Sequence, residues 1–359
     1  MMFFKKYFPA LVFLFLFTGL HSQSGGYTFC DWEDIKFDPD YKPKETDTTI
    51  VFVSTRHYFP GKVEFLDYEF DTTHTLHYFN MYFNRNKWIC VPKKTIEEAF
   101  ENTVKSNDIL VYVEGMGKTF PSNLDRATRV TRLYGVTTVM FDWPTYSPFM
   151  SGGKNYKVAR MQSVEVSRSL GKLFSDLDRL RTSGVTGYVK MSLVLHSLGN
   201  RLIKDAVKRK HIGVNGKLFD NIILNAPCVS KRGHKKWMES MKIQREIYIT
   251  RNNHDKTLVL AGIVALSKQM GRHFGLRKAE NATYINFSKV LKREHNYFLM
   301  TNVLRAHPDI KLLYDDLFHG RNVSFDDPAK FKKRNKGKLI ILREPHVSQD
   351  GDIGISIGK

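Results

Sequence analysis

The sequence predicts an α/β fold built on a mostly parallel central sheet with helices on both faces. Three observations predict it. From residue 109 onward, short apolar runs alternate with helix-length amphipathic stretches. The runs are rich in apolar residues along their length, as strands buried on both faces are. Residue types capable of chemistry gather just after the runs, where a parallel sheet displays its functional groups: Gly115 and Met116, Asp142, Ser197, Asp255 and His295.

Taken in order, the chain of 359 residues begins with a short basic stretch, Phe3-Phe4-Lys5-Lys6, and an uncharged apolar run from Pro9 to Leu20. That run is shorter than the roughly 20 residues of a spanning helix, so residues 1–22 read as a removed export signal cut after Leu20-His21-Ser22. The expected location is secreted or periplasmic, and no second apolar run suggests a transmembrane segment in the mature chain. Residues 23–47 are polar and proline-containing and read as an N-terminal arm. The α/β domain is expected over 48–320 and a basic C-terminal tail over 321–359.

Within the domain, Ile50–Val53, Lys62–Phe70 (with Val63, Phe65 and Leu66 inward) and Trp88–Val91 read as an antiparallel opening. His74 and His77 in this section lack a spaced carboxylate partner and read as surface residues. A first helix is expected from Thr95 to Val104, then strand Ile109–Val113, a polar segment around Asn123–Arg132, and strand Val136–Phe141. Val158, Met161, Val164, Leu170, Phe174 and Leu177 follow helical spacing. Strands at Met191–Leu195, Asn221–Leu224, Glu246–Ile249 and, as the last, Ala282–Phe287 complete the set. Thr145–Asn155 and Leu258–Glu280 are insertions that shape a pocket. The second holds an apolar run, Leu258–Leu266, of helix or lid character.

Three cysteines, Cys30, Cys90 and Cys228, offer no CxxC pair for zinc. In an exported chain Cys30 and Cys90 can pair or all three can stay free. The 56 basic against 36 acidic residues give a net charge of +20, with a dense run from Lys330 to Lys338. This balance reads first as a solvated basic face, with an anionic surface or polymer as the other reading. Aromatics are not interleaved with the basic runs, which argues against nucleic acid.

Residues 188–204 carry the chemistry. An apolar run ends at His196-Ser197-Leu198-Gly199 and an amphipathic stretch starts at once: strand, elbow, helix. A serine there is nucleophilic only if an imidazole takes its proton and a carboxylate orients that imidazole. His295 and Asp255 follow in the order Ser…Asp…His and supply both roles. The oxyanion of the intermediate would be held by the N–H of Leu198 and by that of Met116, in the glycine loop after Ile109–Val113. A phosphate-binding loop at Glu114–Thr119 is the competing reading, but its first glycine falls on Tyr112. The chemistry calls for no metal and no organic cofactor.

The pieces Val111–Phe120, Met140-Phe141-Asp142-Trp143-Pro144, Leu195–Arg201 and Glu294-His295-Asn296-Tyr297-Phe298 resemble the α/β-hydrolase superfamily, in particular a bacterial branch of uncharacterised serine-hydrolase-like proteins. The resemblance covers about Val51 to Tyr314 and implies the α/β-hydrolase fold, with Ser197, Asp255 and His295 as nucleophile, acid and base. It also implies a small-molecule or lipid ester as substrate. Two positions depart from the pattern. Leu195 stands where the elbow commonly has a small residue and is expected to crowd its neighbour. Glu114 replaces a histidine and is expected to oppose the oxyanion unless it turns away or pairs with Lys118 or another base. Together with the charge, these departures motivate a second reading, a catalytically impaired hydrolase fold that binds an anionic partner.

Overall fold

A computed structural model describes residues 30–344, except 45–46, 85–86, 102, 104–106 and 188. The expected export signal and the end of the tail lie outside the described residues. In chain order the opening elements are β1 (Ile35–Phe37), β2 (Thr48–Ser54), β3 (Arg56–Tyr58), β4 (Leu66–Phe70), β5 (His77–Asn84), β6 (Lys87–Lys93) and α1 (Ile96–Phe100). The alternating part follows with β7 (Ile109–Val113), α2 (Phe120–Tyr134), β8 (Thr137–Asp142), α3 (Gly152–Thr182), β9 (Met191–His196) and α4 (Asn200–Lys208). The remainder is β10 (Phe219–Asn225), α5 (His234–Glu239), β11 (Gln244–Arg251), α6 (Lys256–Val264), β12 (Thr283–Asn286), α7 (Thr301–Ala306), α8 (Pro308–Phe318), β13 (Phe331–Arg334) and β14 (Leu339–Leu342).

The strands form a sheet of twelve in the order β1-β6-β5-β2-β8-β7-β9-β10-β11-β12-β14-β13, with β3 and β4 as a separate pair. The run from β2 through β8, β7, β9, β10, β11 and β12 to β14 is parallel throughout. Every residue of β7, β8, β9 and β10 is buried, so both faces of the sheet's centre are covered. This is the α/β-hydrolase architecture expected from the sequence. It brings the ends of β7, β8, β9, β11 and β12 to one edge.

Several elements differ from expectation. The stretch around Asn123–Arg132 is not a polar segment but the body of α2. Its buried residues Phe120, Leu124, Ala127, Val130 and Tyr134 recur every three or four positions, hidden among polar neighbours. Thr119 and Ser122 form a capping box at its start, and Gly135 ends it at φ 66°. Beyond the opening strands expected, His77–Asn84 forms β5, antiparallel to both β2 and β6. Val63 lies before β4 and is 70% exposed, whereas Phe65 and Leu66 are buried.

The arm and the tail both contribute strands. β1 pairs with β6, and β14 extends the sheet beyond β12, so Ala282–Phe287 is not the last strand region. The Lys330–Lys338 run is explained by the same geometry. It supplies β13, an outer strand, where lysines discourage pairing with another chain. All three cysteines are free. No helix among the described residues is long and apolar enough to cross a membrane.

One buried charge pair fixes the left half of the site's edge. Asp142, at the end of β8, accepts from Arg56 Nε at 2.7 Å and Nη2 at 3.2 Å, from Ser54 Oγ at 2.8 Å and from Asn123 Nδ2 at 2.6 Å. Both charges are fully shielded from solvent. Asp142 is thereby saturated and serves the frame rather than the chemistry. Arg56→Met leaves that carboxylate buried and unpaired, and is expected to cost about 3–5 kcal/mol in a urea unfolding curve. Arg56→Met combined with Asp142→Leu should recover part of the loss.

Candidate active site

The elbow after β9 is strained, and the strain is local. Ser197 sits at φ 50°, in the left-handed region that a side chain enters at a cost of about 1–3 kcal/mol. Its carbonyl accepts from the Cys228 N–H at 2.9 Å and from Asn200 Nδ2 at 3.0 Å. The same amide also donates to the carbonyls of Leu195, at 2.8 Å, and Asn225, at 3.3 Å. Asn200 therefore ties both sides of the turn to the end of β10.

Close packing then fixes which residues must be small. A Cβ on Gly115 would fall 2.8 Å from Ser197 Cβ and 3.0 Å from the Leu198 nitrogen. A Cβ on Gly199 would fall 2.8 Å from the carbonyl oxygens of Val113 and Glu114. The loop after β7 is thus pressed directly onto the elbow. Leu195 lies in ordinary sheet register with Val113 and Leu224, fully buried. The tight approach expected at Leu195 falls instead on Gly115 and Gly199.

His295 and Asp255 meet as the sequence order predicts. His295 Nδ1 lies 2.5 Å from Asp255 Oδ2, and the carboxylate is completely buried. The other oxygen, Oδ1, accepts the Leu258 N–H at 2.9 Å and caps α6. The capping role and the histidine contact are therefore compatible, one oxygen for each. With Nδ1 engaged, the imidazole has Nε2 for proton transfer. The ring stands 4.6 Å, centroid to centroid, from that of His196, the residue joined to Ser197.

Two backbone N–H groups beside the elbow are free to donate. Leu198 N–H opens the short 3-10 turn Ser197–Gly199 and so has no acceptor within it. In the loop after β7, Gly115 N–H is taken by Glu114 Oε1 at 2.7 Å. Gly117 N–H and Lys118 N–H donate to Thr145. Met116 N–H is left without an acceptor among the described residues. Both nitrogens flank Gly115, the residue packed against Ser197.

Glu114 is buried and turned onto the Tyr112 side of its strand. It accepts from the Tyr112 hydroxyl and the Gly115 N–H, with Arg126 Nε 3.9 Å away. Burial alone would raise its pKa, but His196 where protonated, together with Arg126 and Lys118, outweighs that and holds the carboxyl low. Lys118 is in turn pulled down to about 8 by burial and by Arg126. The pairing expected with Lys118 or another base therefore includes Arg126 and is reinforced by the tyrosine.

Sequence reasoning missed a polar network beneath the elbow. Asn225 Nδ2 donates to His196 Nδ1 at 2.8 Å, and Asn225 Oδ1 accepts from Thr250 Oγ1 at 3.0 Å and from the Tyr314 hydroxyl. Thr250 Oγ1 lies 2.5 Å from the Tyr297 hydroxyl, two residues past His295. Burial keeps His196 neutral, with its pKa driven down to about 3. The available signal was Asn225-Ala226-Pro227 at the end of β10, which reads in sequence as an ordinary turn. Among the described residues one group of side chains has the geometry to hold a metal ion, His57, Asp67 and Glu69, with ligand atoms within 4.8 Å. Of the three, Asp67 is tied to the frame: its carbonyl accepts from Arg56 Nη1 at 3.0 Å.

No protein-family profile and no curated protein matches the chain. Structural similarity is found to a fungal esterase from Rhizomucor miehei, at 10% identity and TM-score 0.35, covering 68% of this chain and 80% of that one. A second is an α/β-hydrolase enzyme from a Medee basin deep-sea metagenome library, at 9% identity and TM-score 0.32, covering 67% and 91%. A third is an uncharacterised protein from Capnocytophaga ochracea, at 8% identity and TM-score 0.35, covering 78% and 67%.

Two outcomes test this geometry. Gly115→Ala must move the elbow or the loop and should destabilise the fold by about 1–3 kcal/mol in chemical unfolding. The His196 pKa is lowered on folding, so the unfolded chain binds more protons and stability is lost as pH falls below about 6.5. Thermal unfolding across pH 7 to 4 should show this loss, flattened in His196→Asn.

Proposed function

We propose that the protein is an exported serine hydrolase that cleaves an ester or related acyl bond. The observation that carries this reading is the 2.5 Å contact of His295 with the buried Asp255 on the edge that bears the Ser197 elbow. Ser197 Oγ attacks the carbonyl carbon while His295 Nε2 takes its proton. Asp255 holds the imidazole with Nδ1 protonated and steadies the cation that forms. The N–H groups of Met116 and Leu198 receive the developing oxyanion. His295 then protonates the leaving group, and water, activated by the same histidine, releases the acyl group from Ser197.

The alternative, an impaired fold used for binding, rests on Leu195, Glu114 and the basic charge balance. The engagement of Glu114 by Tyr112, Gly115 and Arg126 supports a charge held within the frame, which weakens that part of it. Export rests on the N-terminal sequence.

A neutral fluorophosphonate probe should label the folded wild type and not Ser197→Ala. Absence of label on well-folded wild type would sink the enzyme reading. Asp255→Asn keeps the shape but removes the charge that fixes the histidine, and is expected to lower kcat/KM on an aryl acetate by about 10³–10⁴-fold.

A further inference from the structure

Between the loops that carry Asp255 and His295 lies an open cavity of about 610 Å³, lined by neither of those two residues. One wall is the loop after β11, including Asn253 and Lys256 on either side of Asp255. The other is the loop after β12, from Ser288 to Arg293, which ends two residues before His295. The walls are joined, because the Asn253 N–H donates to Ser288 Oγ at 2.8 Å. Arg272 closes the same end, giving Nε and Nη2 to the Asn253 carbonyl at 2.9 and 2.7 Å. The site is thus built from the two loops that carry the acid and the base.

Its lining has one sign of charge. Lys256, Arg272, Lys289, Lys292 and Arg293 face it, and no carboxylate does. Elsewhere many surface cations find acids: Lys235 with Glu239, Arg245 with Asp220, Arg321 with Asp315 and Lys330 with Asp309. Among the described residues these five form no ion pair. Four of the five, Lys256, Lys289, Lys292 and Arg293, are exposed, so their attraction for an anion is strongest at low salt. A multiply charged oxyanion gains more than a single carboxylate does, since it can engage guanidinium and ammonium groups together.

We propose that this cavity is the subsite for a phosphate-like group on the substrate, so that the enzyme prefers acyl esters that carry such a dianion. The assignment rests on the serine-hydrolase reading above. It adds what that reading lacks, a recognition element that selects among esters. The group belongs either to a small soluble ester or to a lipid headgroup, and the chemistry of recognition is the same for both.

The decisive experiment pairs 4-acetoxyphenyl phosphate with neutral 4-methoxyphenyl acetate. In wild type at low salt, kcat/KM should favour the phosphate ester by about tenfold or more, and the ratio should approach one at about 0.5 M salt. Lys289→Gln/Lys292→Gln/Arg293→Gln should lose the preference while retaining the wild-type melting curve. A ratio near one at low salt, in protein that labels at Ser197, overturns the subsite. If nothing labels at Ser197, the hydrolase reading fails separately. Calorimetric titration with inorganic pyrophosphate then judges the cavity alone. Binding weakened about tenfold in the triple variant sustains it, and equal binding removes it. Should the triple variant fail to fold, Lys289→Gln and Lys292→Gln singly serve in the same titration. Sedimentation with phosphatidylglycerol vesicles against phosphatidylcholine vesicles separates the sources: preferential capture by the former assigns a lipid headgroup, and none assigns a soluble ester.

Discussion

A serine held at φ 50° is the constraint around which this edge of the molecule is arranged. Left-handed backbone at a residue with a side chain persists only when its surroundings over-determine it. Here the surroundings are specific. Cys228 and Asn200 anchor the Ser197 carbonyl, Gly115 and Gly199 let the β7 loop press against the turn, and β10 supplies Asn225 beneath it. Ala226, just past the end of β10, is also at positive φ, and its N–H is caught by Thr250. Two neighbouring strands thus end in strained turns that share hydrogen-bond partners.

That shared network couples the proposed nucleophile to the proposed base without direct contact being needed. Asn225 touches His196 on one side and Thr250 on the other, and Thr250 meets Tyr297 close to His295. Such buried groups are costly when unpaired and restrictive when paired, so the network fixes relative positions more than it adds stability. Glu114 follows the same logic. A buried carboxylate near a developing anion is unfavourable in isolation, yet its hydrogen bonds and the guanidinium of Arg126 leave little net charge to be felt nearby.

The parallel centre of the fold was legible because doubly buried strands leave largely apolar runs, as at Ile109–Val113 and Met191–Leu195. The elbow was legible because strand, serine and helix follow without a gap. The α2 helix was not, since its buried stripe is diluted by Asn123, Arg126 and Arg129, and the capping box of Thr119 and Ser122 looks like loop composition. β5 was obscured by aromatic residues at successive positions, which mask a two-residue period. For the site, Ser197, Asp255 and His295 were named from order along the chain. Their supports, Asn200, Asn225 and Thr250, were not, because a buried amide carries no periodic or motif signal.

Electrostatics divides the carboxyl edge of the sheet into two regimes. At the elbow, charges are compensated within the frame: Asp142 by Arg56, Glu114 by Arg126, Asp255 against His295. One loop further along, between β11 and β12, five cations meet around a cavity with no acid among them. These five cations form no ion pair among the described residues, which leaves their charge open to an anion. Because the same loops carry Asp255 and His295, an anion held there is positioned relative to the imidazole, so its binding energy can be used for orientation at the reacting bond rather than for affinity alone.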